Sequence, residues 1–211
     1  LNLFEGGADL SNARMASTAS STARMGAELV LITLEVHDAG RVNEDLQMTE
    51  VMTRPISGGP EWIEVYNDNA FATSLYGWSF NTSSGSTSNE VLLQDGVIQG
   101  HSVALFTGSL ATQEQGNASQ MFDLGQYGLL GTGSMNILDD GSGVIELRFT
   151  RPGNVIAIPN SKAEWGPQAG LPVGLNQVIV WDGTNTMSST AWSVQTGPTP
   201  GDVFFEPANA S

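Results

Sequence analysis

GPEWIEVYNDNAFATSLYGWSF, residues 59–80, is the stretch whose reading decides the fold. Successive side chains of a pleated strand alternate between its two faces. EWIEVYN therefore sends Trp62, Glu64 and Tyr66 one way and Glu61, Ile63, Val65 and Asn67 the other. Ile63 and Val65 read as core; Trp62 and Tyr66 cover a second face, with Glu64 at its rim. A glycosidase needs two carboxylates about 5–9.5 Å apart across one bond, and Glu61 and Glu64 face opposite sides. NDNA is a turn, and SLYGWSF returns as a paired strand. The stretch reads as architecture rather than as an active site.

Outward from it, short strands alternate with Gly, Asn, Ser and Pro turns from residue 48 onward. The expected strands are MTEVMT, EWIEVYN, GWSFNT, EVLLQ, SVALFTG, SMNILD, GVIELRFT, NVIAIPN and NQVIVWD, with turns at SGGP, SSGSTSN, DG, DDGSG and RPGN. Many short strands without intervening helices imply an all-β sandwich or barrel. Residues 109–134 lose the pattern and read as an excursion with a turn of helix.

The first 47 residues differ. GGADLSNARMASTASSTARMG, 6–26, places Leu10, Ala13, Ala16 (or Met15), Ala19 and Ala23 at three- and four-residue steps. It reads either as one short helix, capped by Asp9 or Ser11 and ended by Gly26, or as a small-residue linker. AELVLITLEVHDAG, 27–40, is a strand with Val30, Ile32, Leu34 and Val36 on one face. A strand this apolar pairs with a sheet edge of its own domain or of a neighbour. The expected organisation is an N-terminal arm over 1–47, a sandwich over 48–204 and a tail over 205–211.

The composition narrows the function. In 211 residues there are 22 acidic and 7 basic side chains, a net charge of −15, and no cysteine. The charge repels phosphate backbones and anionic lipid, which argues against nucleic-acid and membrane-surface partners. Without cysteine there is no disulfide, thiolate metal site or cysteine nucleophile. The longest apolar run, LVLI at 29–32, is too short to span a bilayer. The opening LNLFEGGADL has neither the basic end nor the apolar stretch of a signal peptide. The start at Leu1 leaves a removed leader open.

The motif order resembles a known family. MTEVMTRP, EWIEVYN and SLYGWSF, carrying Glu50, Val51, Pro55, Glu61, Trp62, Glu64, Tyr66, Asn67, Leu75, Gly77 and Trp78, are similar to the opening of the lamin tail domain. LLQDGVIQGHSVALFTG and GSMNILDDGSGVIELRFTRPGNVI resemble its middle strands. AWSVQTGPTPGDVF, with Pro200 and Gly201, resembles the close of bacterial members. The likeness covers residues 48–204 and implies an immunoglobulin-like β-sandwich in a family of mostly non-catalytic structural, surface or binding modules. The segment where the family has Asn-x-Gly-Asp reads NILDDGSG here, 109–134 is longer than its pattern, and 1–47 lies outside it.

Catalytic signals are weak. His37 and His101 stand apart, with no H-x-x-x-H, H-E-x-x-H, G-x-S-x-G or Walker pattern. Asp139, Asp140 and Ser142, Asp68, and Asp182 form oxygen-rich turns that suit calcium, but without a calcium-loop spacing they read first as hairpin turns. Trp165 and Trp181 suit either a sugar-stacking platform or the core. No cofactor and no enzyme activity are expected. The expectation is a non-catalytic structural protein of a virion surface, capsid decoration, or extracellular filament or coat. It docks on other protein subunits, self or scaffold, through Leu10, Ala16, Ala19, Ala23, Val30, Ile32, Leu34 and Val36. The alternative is a secreted adhesion module that binds carbohydrate or calcium through its loops.

Overall fold

A computed structural model describes residues 17–25, 28–36, 46–56, 59–84, 87–113, 115–131, 138, 141–150 and 156–202. The chain divides into two compact units, 1–42 and 43–211. The boundary therefore precedes residue 47, which lies within the first strand of the second unit.

In the first unit, β1 (Ser17–Met25) and β2 (Glu28–Val36) form an antiparallel hairpin. Met25 pairs with Glu28, and Ala23, Ser21, Ala19 and Ser17 pair with Val30, Ile32, Leu34 and Val36. This corrects the helix reading of 6–26 where that stretch is described: Ser17–Met25 is a strand. Ser and Thr alternating with Ala fit a strand as well as a helix, and a long apolar partner strand supplies the ladder. Leu10 and Ala16 lie outside the described residues. The sheet edge that β2 joins is that of β1.

The second unit is all-β. Its strands are β3 (Leu46–Met52), β4 (Trp62–Asn67), β5 (Thr73–Ser74), β6 (Trp78–Ser84), β7 (Thr87–Leu92), β8 (Val97–Ile98), β9 (Val103–Thr107), β10 (Gln120–Asp123), β11 (Gly143–Phe149), β12 (Ile158–Trp165), β13 (Gln177–Trp181) and β14 (Trp192–Thr196). One six-stranded sheet runs β10-β9-β4-β3-β13-β14 and one four-stranded sheet β12-β11-β6-β7, with a small β5-β8 pair.

The two large sheets share one apolar core. Met48, Val51, Ile63, Val65, Ala104, Phe106 and Ile179 from the first meet Trp78, Phe80, Ile145, Leu147, Ala163 and Trp165 from the second. Phe80 and Phe106 meet edge to face with ring centroids 5.0 Å apart, and Phe106 stacks on Phe122 at 4.9 Å. Interdigitation of this kind is what alternating inner residues of two packed sheets produce.

The excursion contributes more than a loop. Gln120–Asp123 adds to β9 in parallel, an arrangement that needs a crossover of about a dozen residues. A 3₁₀ turn over Gly125–Tyr127 follows, where a turn of helix is expected. The SSGSTSN turn is narrowed: the antiparallel strands β6 and β7 run into it and pair as far as Ser84 with Thr87. In NVIAIPN, Asn154 and Val155 lie outside the described residues, and the strand begins at Ile158 and continues to Trp165. Most of SMNILD lies outside the described residues.

Candidate functional site

Every residue of β4 is buried, and the strand separates two apolar clusters. Ile63 and Val65 belong to the inter-sheet core; Trp62 and Tyr66 pack on the opposite face with Met52, Val103, Leu105, Val178 and Val180. The alternation read from EWIEVYN is the one the fold adopts. Its polar members hold neighbouring segments. Glu61, 1% exposed, accepts backbone N–H groups from Gly131 at 2.6 Å and from Leu138 at 3.0 Å. Asn67 donates to the carbonyls of Phe71, Ile98 and Gln99, and accepts from the Asn69 N–H and the Thr73 hydroxyl. One amide thus pins two loops.

Gly77, at a φ of 87°, has Thr150 O 2.9 Å from where a Cβ would stand. It lets Trp78, fully buried, enter the core against Phe149 at 5.1 Å. The sequence motifs are working parts of the fold.

The chemistry concentrates where alternation alone does not lead. β3 carries a register irregularity at Thr49: Met48 pairs with Val65, but Glu50 pairs with Glu64. One extra residue on a strand reverses the faces of those that follow. Leu46, Met48 and Val51 consequently point into the inter-sheet core, while Met52 and Glu50 turn to the outer face. Two glutamates thus become direct cross-strand neighbours, a position that brings Cβ atoms to about 4.5–5.5 Å. Both are 0% exposed.

A turn formed by Thr199–Asp202 closes over the pair. The Asp202 N–H donates to Thr199 O at 3.0 Å, with Pro200 second and Gly201 third at a φ of 87°. That is the residue chemistry of a type II turn. It aims the Thr199 hydroxyl at Glu50 Oε1 (2.8 Å) and the Gly201 N–H at Glu64 Oε2 (2.5 Å). From beneath, the Thr49 hydroxyl donates to Glu64 Oε1 at 2.5 Å. Residues 115–118 lie against the turn: the Asn117 N–H donates to Pro200 O, and its side chain donates to Asp202 Oδ1 at 2.6 Å. A Cβ on Gly201 would come within 2.1 Å of Ala118 N, so the approach requires glycine. Glu50 Oε2 is buried without a hydrogen bond.

These surroundings favour the protonated forms. Burial pushes the Glu50 carboxyl up to about 8; the Glu64 charge adds to the rise, the Thr199 hydrogen bonds oppose it, and Asp202 adds a smaller push. Burial pushes Glu64 up to about 7, against hydrogen bonds from Thr49 and Gly201 and with a further push from Asp202. Like charges in direct contact titrate as a unit. The pair can hold a proton near neutral pH, but the closing turn covers it.

The other sites read from the sequence resolve differently. Asp182 Oδ1 accepts from the Thr184 N–H and hydroxyl, the pattern of an Asp turn. Asp139, Asp140 and His37 lie outside the described residues. Asp68 Oδ1 is buried without a partner, and burial raises its carboxyl while His101 lowers it. His101 is exposed in a turn at a φ of 50°, with Nδ1 3.4 Å from the Tyr66 hydroxyl. Among the described residues no group of three His, Asp or Glu side chains fits a metal ion. Trp165 and Trp181 are 2% and 4% exposed, which overturns the sugar-platform reading: neither face is available for stacking. Among the described residues no helix is long and apolar enough to cross a membrane.

The sequence reading missed the Glu50–Glu64 pair. Both residues belong to the motif set, but the signal that joins them is a bulge, which leaves no mark in a period-two pattern. No protein-family model matches the chain, and no curated protein matches it.

Proposed function

We propose that the chain is a non-catalytic structural module of a supramolecular surface assembly, virion or extracellular, and that its N-terminal hairpin docks on another protein subunit. One observation carries the reading: β1 and β2 form a two-stranded sheet in a unit separate from the sandwich. A lone two-stranded hairpin is marginal in water and gains stability from further strands or a covering surface. An apolar strand such as LVLITLEV makes that need acute, and a strand of a second subunit meets it through main-chain hydrogen bonds.

The lamin-tail resemblance and its immunoglobulin-like form belong to this proposal. They are supported by the placement of the shared residues: Glu61, Glu64 and Asn67 hold loops, and Gly77, Trp78, Pro200 and Gly201 shape turns and core. The adhesion alternative loses its sugar platform and, at Asp182, finds a turn already satisfied.

The test is the solution mass of the full chain beside a chain lacking residues 1–42, with the melting transition of each. The expected result is an oligomer that becomes a monomer with an unchanged sandwich melt. Two monomers of like stability remove self-assembly through the hairpin. A sandwich that unfolds on truncation makes the hairpin part of its own stability and ends the proposal.

A further inference from the structure

We propose that Glu50 and Glu64 form a proton-dependent latch: with a proton on the pair the Thr199–Asp202 turn stays seated on the sheet, and without it the turn and residues 115–118 lift away. The inference is independent of what the hairpin docks on.

The geometry supplies both halves of a switch. The sensor is a pair of glutamates made cross-strand neighbours by the irregularity at Thr49, both fully buried. The moving part touches the sensor directly, because the Thr199 hydroxyl and the Gly201 N–H end on carboxyl oxygens. Residues 115–118 ride on the turn through Pro200 O and Asp202 Oδ1. The charged groups bearing on the pair are its own two members and Asp202 of the turn itself, all acidic. The hydrogen bonds from Thr49, Thr199 and Gly201 leave Glu50 Oε2 unserved. A neutral carboxyl tolerates an unserved buried oxygen far better than a carboxylate does, and two adjacent carboxylates away from water repel strongly. Lifting the turn lets water reach both.

The direction follows from linkage. With the turn seated the carboxyls sit at about 8 and about 7; with it lifted they approach the ordinary 4.5. The seated state binds more protons, so it is fully favoured below 4.5 and weakens as pH rises toward 8. Each proton lost on opening raises the opening constant by up to about tenfold per pH unit within that window.

The experiment is hydrogen exchange of the full chain from pH 5 to 9, corrected for base catalysis, comparing peptides over 197–202 and 115–121 with one over β11. The expected result is a loss of protection in the first two beyond that in β11, of up to about tenfold per pH unit for each proton lost, a shallower profile in Glu50→Gln, where Glu64 still titrates, and a flat one when both glutamates are Gln. Glu64→Gln serves if that variant does not fold. Equal loss in all three peptides overturns the latch. So does a Gln variant that keeps the wild-type profile. A ¹³C titration of the Glu50 carboxyl in the wild-type chain is an independent check: a midpoint in the opening window supports the latch, and one near 4.5 overturns it.

Discussion

Glu61 and Glu64 stand three residues apart, one just before β4 and one within it, are both buried, and have different company. Glu61 meets the backbone N–H groups of Gly131 and Leu138, at least 70 residues further along the chain. Its oxygens are served by donors that a carboxylate satisfies and a neutral amide does not. Glu64 has donors as well, from Thr49 and Gly201, but it lies beside Glu50, whose second oxygen has none. Burial alone does not decide what a carboxylate contributes. The balance between donors and like charges does.

The same isosteric change should therefore act with opposite sign at the two places. Glu61→Gln turns an acceptor into a donor that faces backbone N–H groups, and should cost about 3 kcal/mol in denaturant unfolding at neutral pH. A cost below about 1 kcal/mol would mean that Gly131 and Leu138 are held by something else, and the contrast collapses.

Glu50→Gln should stabilise, and only at higher pH. The folded-state values lie above the ordinary 4.5, so the wild-type contribution is complete below that pH and is lost as pH rises through about 7 and 8. The variant should match wild type near pH 4 and exceed it by on the order of 2 kcal/mol near pH 8.5. Unfolding curves at the two pH values check this, and an equal difference at both breaks the assignment.

The smallest effect sharpens the picture from below. Thr49→Val keeps shape at the irregularity while removing the hydroxyl that serves Glu64. It should cost about 1 kcal/mol in the same unfolding assay near pH 8.5, and less near pH 4, where the carboxyl is neutral. An unchanged midpoint at both would assign the irregularity to register alone.

Much of the sandwich was legible from local pattern. The faces of EWIEVYN and the burial of Ile63 and Val65 depend on alternation that a few adjacent residues specify. Elsewhere the pattern misled. Ser17–Met25 has residue types that serve helix, linker or strand equally, and its pairing with β2 decided among them. Ser84 and Thr87 look like a loop tip and are the end of a ladder. β10 carries weak strand character and exists because β9 offers it a parallel edge.

The sequence by itself determined an acidic all-β chain with an atypical N-terminal arm, because composition, turn residues and period-two alternation are local properties. Only the tertiary structure decided that Trp165 and Trp181 are core, that Glu61 binds the Gly131 N–H 70 residues away, and that Glu50 lies beside Glu64. The reason is the same in each case. Register and packing bring distant segments together, and one extra residue at Thr49 reverses a strand's faces without changing the letters around it.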